Sequence, residues 1–146
     1  MGESTINAAI LGTFGVPVIM ITGDNALVEE VYEHLPWVKS VAVKQAIGRA
    51  AAICYPPKAT YKLIRNTAKE SIEQYKAARP FIIQPPYLFE AEFITHISAK
   101  RAAMAKNIKI KDLYTLFLEG DDLPLLVDNF WRGLEIVFSE PVGFLK

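Results

Sequence analysis

Chemistry in a chain of 146 residues with two histidines and one cysteine has few places to reside. Glu90 and Glu92 stand two apart in residues 87–97, where apolar side chains alternate with period two. On a strand that spacing puts both carboxylates on one face, roughly 6.5–7 Å apart at Cα, suited to shared metal binding or an acid/base pair. His96 would share the face but lie about 20 Å beyond Glu90 by strand rise, so the three cannot grip one ion. The plainer reading is a solvated outer face. Asp24 and Lys44 follow two short apolar runs, and a carboxylate and an ammonium at strand ends could hold the charged ends of a substrate. Against this, Asp24 is a ready helix cap and Lys44 a ready solvated terminus. Cys54, among Ala51, Ala52 and Ile53, reads as a buried small hydrophobe, with no histidine spaced to serve as its base. His34 falls near a helix C-terminus, a structural place for an imidazole.

The elements that would position these residues follow from hydrophobic spacing. Residues 3–14 place Ile6, Ala9, Ile10, Thr13 and Phe14 on one helical face, and Gly15 stops the helix. Residues 16–21 form a β-branched apolar run, expected as a strand buried on both faces, followed by a turn at Gly23-Asp24-Asn25. Asp24 or Asn25 can cap the next helix, striped by Leu27, Val28, Val31 and Leu35. Residues 38–43 make a second strand. Pro56-Pro57 opens the longest helix, expected to reach about Ala78 with a stripe of Leu63, Ile64, Ala68, Ile72 and Tyr75. Then come the alternating strand at 87–97, a short helix that Ser98 can cap, strands at 108–110 and 113–118, and a last helix entered at Asp121-Asp122. That helix is expected to bury Leu126, Val127, Phe130, Leu134, Val137 and Phe138. The fold class is α/β: a short parallel-sheet portion flanked by helices, residues 1–79, followed by an antiparallel strand and helix portion, residues 80–146, with no linker. The chain opens on the helix of a βα unit with no strand before it, so the sheet is expected to be part of a larger one.

Composition narrows the function classes. Apolar residues make up 51% of the chain and charged residues 22%, enough for a core and unlike a disordered segment. One cysteine excludes a disulfide framework, and one thiol with two distant imidazoles cannot build a Cys/His zinc cluster. No apolar run approaches a membrane span and no signal segment is evident, so a cytoplasmic protein is expected. The zero net charge conceals an acidic opening, a basic middle and an acidic close. Such segregation fits acidic and basic parts facing each other, or one face presented to a partner. The basic stretch lacks interleaved aromatics, and its helix mixes lysines with Glu70 and Glu73, so neither nucleic acid nor a membrane is an expected partner.

Three ordered stretches carry a resemblance: residues 2–8 (Gly-Glu-Ser-Thr-Ile-Asn-Ala), residues 15–18 (Gly-Val-Pro-Val) leading to Gly23-Asp24, and residues 42–49 (Ala-Val-Lys-Gln-Ala-Ile-Gly-Arg). Together they resemble the carboxyl-terminal part of the DppA-type zinc D-aminopeptidases, with the clear match over roughly residues 2–75. The resemblance implies a cytoplasmic peptide hydrolase that removes amino-terminal D-residues from short peptides, uses two zinc ions to activate water, and assembles as a homo-oligomer. It maps a family metal ligand onto Glu3, which without the resemblance is simply an acid favourable to a helix N-terminus. Asp24, Lys44 and Arg49 become candidates for the wall of the substrate crevice. The family's Asp-x-Glu-Gly motif, its two ligand histidines and its catalytic histidine have no counterpart here, and His34 and His96 lie outside the matching motifs. No catalytic residue is therefore assigned, and one carboxylate cannot hold two zinc ions. Position 5 is Thr where the family usually has glycine, so the turn into the first helix is expected to differ. The resemblance implies a fragment, a decayed homologue, or a subunit completed by a separate amino-terminal half, with zinc bound only when that half is supplied. The alternative is a non-catalytic α/β module binding a partner protein or a small anion.

Overall fold

Small side chains set the first packing layer. Helix α1 (Glu3–Thr13) turns buried Thr5, Ala8 and Ala9 inward. Ala8 meets Val31 of helix α2 (Asn25–His34) in a core completed by Leu35 and Val38, with Val18, Ile21, Leu27, Trp37 and Phe81 packed around it. Gly12 is required by a close approach: a Cβ there would lie 1.9 Å from the Phe81 carbonyl oxygen. The computed structural model describes residues 1–48 and 50–139, and the chain divides into two units, the first Met1–Ile83 and the second from Gln84 onward.

In the first unit strand β1 (Met20–Asp24) pairs in parallel with β2 (Lys39–Gly48), and β2 pairs antiparallel with β3 (Ala51–Cys54). The order is β1-β2-β3. The strand expected at 16–21 begins later and runs further. Its ladder opens where the Ile19 carbonyl accepts from Lys39 N–H, and Pro17 upstream has no N–H to donate. Gly23 and Asp24 belong to the strand rather than to a turn, opposite Ala42 and Lys44 across a bulge. Likewise β2 continues past Val43 because β3 supplies a partner for it. Cys54 lies on that hairpin and is exposed, contrary to the buried position expected for it.

Helix α3 (Pro57–Glu73), followed by a 3-10 turn Tyr75–Ala77, packs against β1 and β2. Proline occupies its first turn as expected, but the expected stripe is not its buried face. Ile72 is 64% exposed and Tyr75 54%, whereas Ser71 is buried. Small residues meet the sheet and the large apolar ones point away.

The second unit is built on β6 (Thr115–Gly120), which lies between β4 (Tyr87–Glu92) and the short β5 (Lys109–Ile110), antiparallel to both. Leu116 and Leu118 are each 1% exposed, as befits a central strand. Alternation holds from Tyr87 to Glu92 and then ends. The Thr95 side chain accepts from Ser98 N–H and caps helix α4 (His96–Ala102), so a local side-chain bond prevails over the periodic pattern. Thr95, not Ser98, is the cap, and His96 opens a helix rather than extending the strand.

Helix α5 (Leu123–Phe138) is capped by Asp122, which accepts from Leu125 N–H at 2.9 Å. It buries Leu126, Val127 and Val137, and Phe130 packs on Phe89 and Phe93 with ring centroids 4.8 and 6.4 Å away. Phe138, expected inside, is exposed. Among the described residues no helix is long and apolar enough to cross a membrane.

Candidate functional site

Open α/β sheets present ligands with the carboxyl ends of their parallel strands and the helix N-termini that follow. In the first unit that edge carries Asp24, Asn25 and the Lys44 segment. Asp24 ends β1, caps α2 by accepting from Leu27 N–H at 2.9 Å, and pairs in register with Lys44. The cap uses one of the two Asp24 carboxylate oxygens. Asn25 performs a task that no local pattern announces. Its Oδ1 accepts from Ala46 N–H at 2.8 Å, tying the first residue of α2 to β2. Arg49 lies outside the described residues.

The start of α1 is held from a distance. Glu30, on α2, accepts through Oε1 from Gly2 N–H at 2.7 Å and from the Thr5 hydroxyl at 3.0 Å. Thr5 is fully buried, which gives the residue at position 5 a definite task in the turn. A carboxylate here also favours the positive end of the α1 dipole. Any Cβ at position 2 would fall 2.3 Å from Glu30 Oε2, so only glycine leaves this bond undisturbed. Glu3, the next residue, is the first of α1 and is exposed. Glu30 was not legible in the sequence because its partners lie 28 and 25 residues away.

The remaining candidates disperse. Glu90 and Glu92 do share the outer face of β4, but Glu90 Oε2 accepts from Lys111 Nζ at 2.7 Å. That bond and the adjacent negative charge raise the Lys111 pKa. His96 packs its ring edge-on against Tyr114 and lines an apolar cleft of about 230 Å³ with Lys100, Asp112 and Leu113. The Asp112 carboxylate is held below the usual range by hydrogen bonds from the Tyr114 backbone and from Thr115. His34 ends α2, as expected. Among the described residues no group of three or more His, Cys, Asp or Glu side chains could hold a metal ion. Glu3 alone does not fit a zinc centre, which needs several ligands.

A three-stranded mixed sheet in one unit and a three-stranded antiparallel sheet in the other, both flanked by helices, define a mixed α/β chain. The D-aminopeptidase family, peptidase M55, matches residues 1–131, and the chain belongs to that family. A D-aminopeptidase from Bacillus subtilis strain 168 is 29% identical over 111 residues, covering 76% of this chain and 40% of the relative. The solved structure of the zinc-dependent D-aminopeptidase DppA from Bacillus subtilis, described as a self-compartmentalizing protease, superposes with a TM-score of 0.87 at 25% identity. It covers 99% of this chain and 53% of the other. The chain therefore spans about half the length of that protein.

Proposed function

We propose that the chain is the carboxyl-terminal part of a zinc-dependent D-aminopeptidase-type peptide hydrolase, inactive alone and needing an amino-terminal half. The observation that supports this is the near-complete fit of the chain to 53% of a zinc-dependent D-aminopeptidase, while among the described residues no group of three or more His, Cys, Asp or Glu side chains could hold a metal ion. In the completed protein Glu3 supplies one zinc ligand, and Asp24, Lys44 and Arg49 line the crevice for a short peptide. Lys44 is the group suited to a carboxylate end and Asp24 to an ammonium end, by charge. Zinc, when bound, supplies activation of water. The role of this chain is to present Glu3 on a rigid helix start and to form the crevice wall. The cytoplasmic location and homo-oligomeric assembly belong to the same reading, the latter supported by the self-compartmentalizing neighbour.

The test is zinc analysis and D-peptide hydrolysis, measured on the chain alone and with an amino-terminal half supplied. Two zinc ions and hydrolysis are expected only in the mixture, and both should fall sharply in Glu3→Ala. A stable complex that takes up no zinc would overturn the hydrolase reading in favour of a non-catalytic module.

A further inference from the structure

One donor in the first unit is buried without an acceptor. The indole Nε1 of Trp37 is shielded from solvent and, among the described residues, has no hydrogen-bond partner. An indole N–H can only donate, and a buried donor left unpaired is costly, so such groups almost always meet protein, water or a ligand. Trp37 lines a cavity of about 50 Å³ together with Ile19, Lys39, Ser71, Gln74 and the 3-10 turn that follows α3. Ile19 precedes β1 and Lys39 opens β2, which puts the cavity at the amino ends of the parallel strands. Asp24 and Lys44 lie further along the same two strands, roughly 16 Å away by strand rise. The cavity is therefore separate from the carboxyl-end crevice.

Charge and size define what fits. No carboxylate lines the cavity, and the half-buried Lys39 has no ion pair among the described residues. The Arg79 guanidinium lies 4.6 Å from the centroid of the Trp37 ring and adds a second positive charge beside the indole. The carbonyls at the end of α3 are already engaged: Glu70 accepts from Gln74 N–H, and Gln74 and Tyr75 accept from Ala77 and Ala78 N–H. The Ser71 hydroxyl is also committed, donating to the Thr67 carbonyl at 2.7 Å. The free donors are thus Trp37 Nε1, the Lys39 ammonium and the Gln74 amide, against a wall made apolar by Ile19, Ala77 and Ala78. One water needs about 10–15 Å³ of such space, so the cavity takes about four non-hydrogen atoms. That is the size of a short carboxylic acid.

We infer that this cavity is a binding site for a small aliphatic monocarboxylate. One carboxylate oxygen accepts from Trp37 Nε1–H, the other pairs with the Lys39 ammonium, and the short apolar tail lies against Ile19 and Ala78. Both bonds tie the end of α3 to the starts of β1 and β2, so occupancy stabilises the first unit. The site stands apart from the peptidase reading and does not depend on it.

The test is a titration of the intact ¹⁵N-labelled chain with sodium acetate, read at the indole N–H resonances and run against sodium chloride at equal ionic strength. The Trp37 resonance should move downfield and saturate in the range of about 1–10 mM, as suits a ligand of so few atoms. Trp131, in the second unit, is the internal control and should not move. Acetamide has the shape of acetate without its charge and should bind at least about tenfold more weakly. Lys39→Met keeps the side-chain stem and should weaken acetate to the same degree. Trp37→Phe keeps a ring and removes the donor, and should abolish the rise in thermal midpoint that acetate gives the parent over chloride. Circular dichroism confirms that each variant is folded, and the parent titrated with acetate against acetamide decides the matter if neither is.

A Trp37 resonance unmoved by acetate well above that range would overturn the site, and a nuclear Overhauser effect from it to a long-lived water would assign the cavity to water. Equal shifts with acetate and acetamide would overturn the carboxylate assignment. A resonance displaced by Gln74→Ala alone and indifferent to acetate would make Gln74 the acceptor and likewise overturn the site.

Discussion

Helices α3 and α5 are nearly equal in length, 17 and 16 residues, and both carry apolar side chains at helical spacing. Helix α5 buries Leu123, Leu126, Val127, Asn129, Gly133 and Val137, whereas α3 buries only Ser71. The strands differ in the same sense. Leu116 and Leu118 of β6 are sealed between two neighbours, while among the described residues the similarly apolar β1 has one. An apolar stripe states that a face must be covered, and says nothing about whether the same chain provides the cover. In the second unit α4, β4 and β5 converge on β6 and α5. In the first, the small-residue face of α3 meets the sheet, and its Leu63, Ile64 and Ile72 are left exposed.

The contrast can be broken first in the two cores. Leu35→Ala and Leu116→Ala remove fully buried side chains, one in each unit, and each should cost about 2–5 kcal/mol in urea unfolding. By comparison Ile72→Ala, on the exposed stripe of α3, should change stability by less than about 0.5 kcal/mol. An Ile72 effect as large as that of Leu35 would mean that the exposed stripe is in fact covered in solution.

Glycine positions sharpen the comparison next. An alanine Cβ at Gly12 meets the Phe81 backbone oxygen, which cannot rotate away, so Gly12→Ala should cost about 2 kcal/mol or more despite its better helix propensity. At Gly133 the nearest atom is the mobile Ile108 Cδ1 at 2.6 Å, with the Ala102 carbonyl oxygen at 3.0 Å. Gly133→Ala should therefore be the milder change, at about 1 kcal/mol. Calorimetric midpoints in the opposite order would refute the assignment of the rigid contact to Gly12.

A smaller effect is expected at the start of α1. Glu30→Ala removes the acceptor for Gly2 N–H and the Thr5 hydroxyl and should lose about 1–2 kcal/mol. Glu30→Gln retains an acceptor oxygen and should recover part of that loss. Equal losses for the two variants would show that charge rather than hydrogen bonding secures the Gly2-Glu3 turn.

The smallest effect is pH-dependent and belongs to the second unit. Asp112 has a lowered folded pKa, so its contribution is present at neutral pH and is lost as pH falls below about 4 through the folded value. Lys111 has a raised folded pKa, so its contribution is complete at neutral pH and is lost only as pH rises through that value in strongly alkaline solution. Asp112→Asn should flatten the acid limb of a stability-against-pH curve and change the alkaline limb only slightly, because Glu90 rather than Asp112 is the main cause of the raised Lys111 pKa. A change confined to the alkaline limb would exclude the assignment.

Legibility followed sequence distance. The cap by Asp24, the proline-led start of α3, the alternation of β4 through Glu92 and the acidic entry to α5 all arise from bonds or spacings within a few residues, and each was readable. Residues 93–97 misled because Thr95 and Ser98 form a cap that ends the alternation locally. Glu30 and Asn25 were invisible because their partners lie more than 20 residues away. The Glu90–Lys111 pair, 21 residues apart, likewise turned an apparent dicarboxylate site into an ion pair on the rim of the sheet.

The sequence by itself determined the α/β order and the family, because these depend on residue identity and short-range periodicity. Only the tertiary structure decided which stripe faces the sheet and which carboxylate holds the turn before Glu3. Those properties are set by strand pairing and by the packing of α1 on α2, and no short-range pattern encodes a neighbour that arrives from elsewhere in the fold.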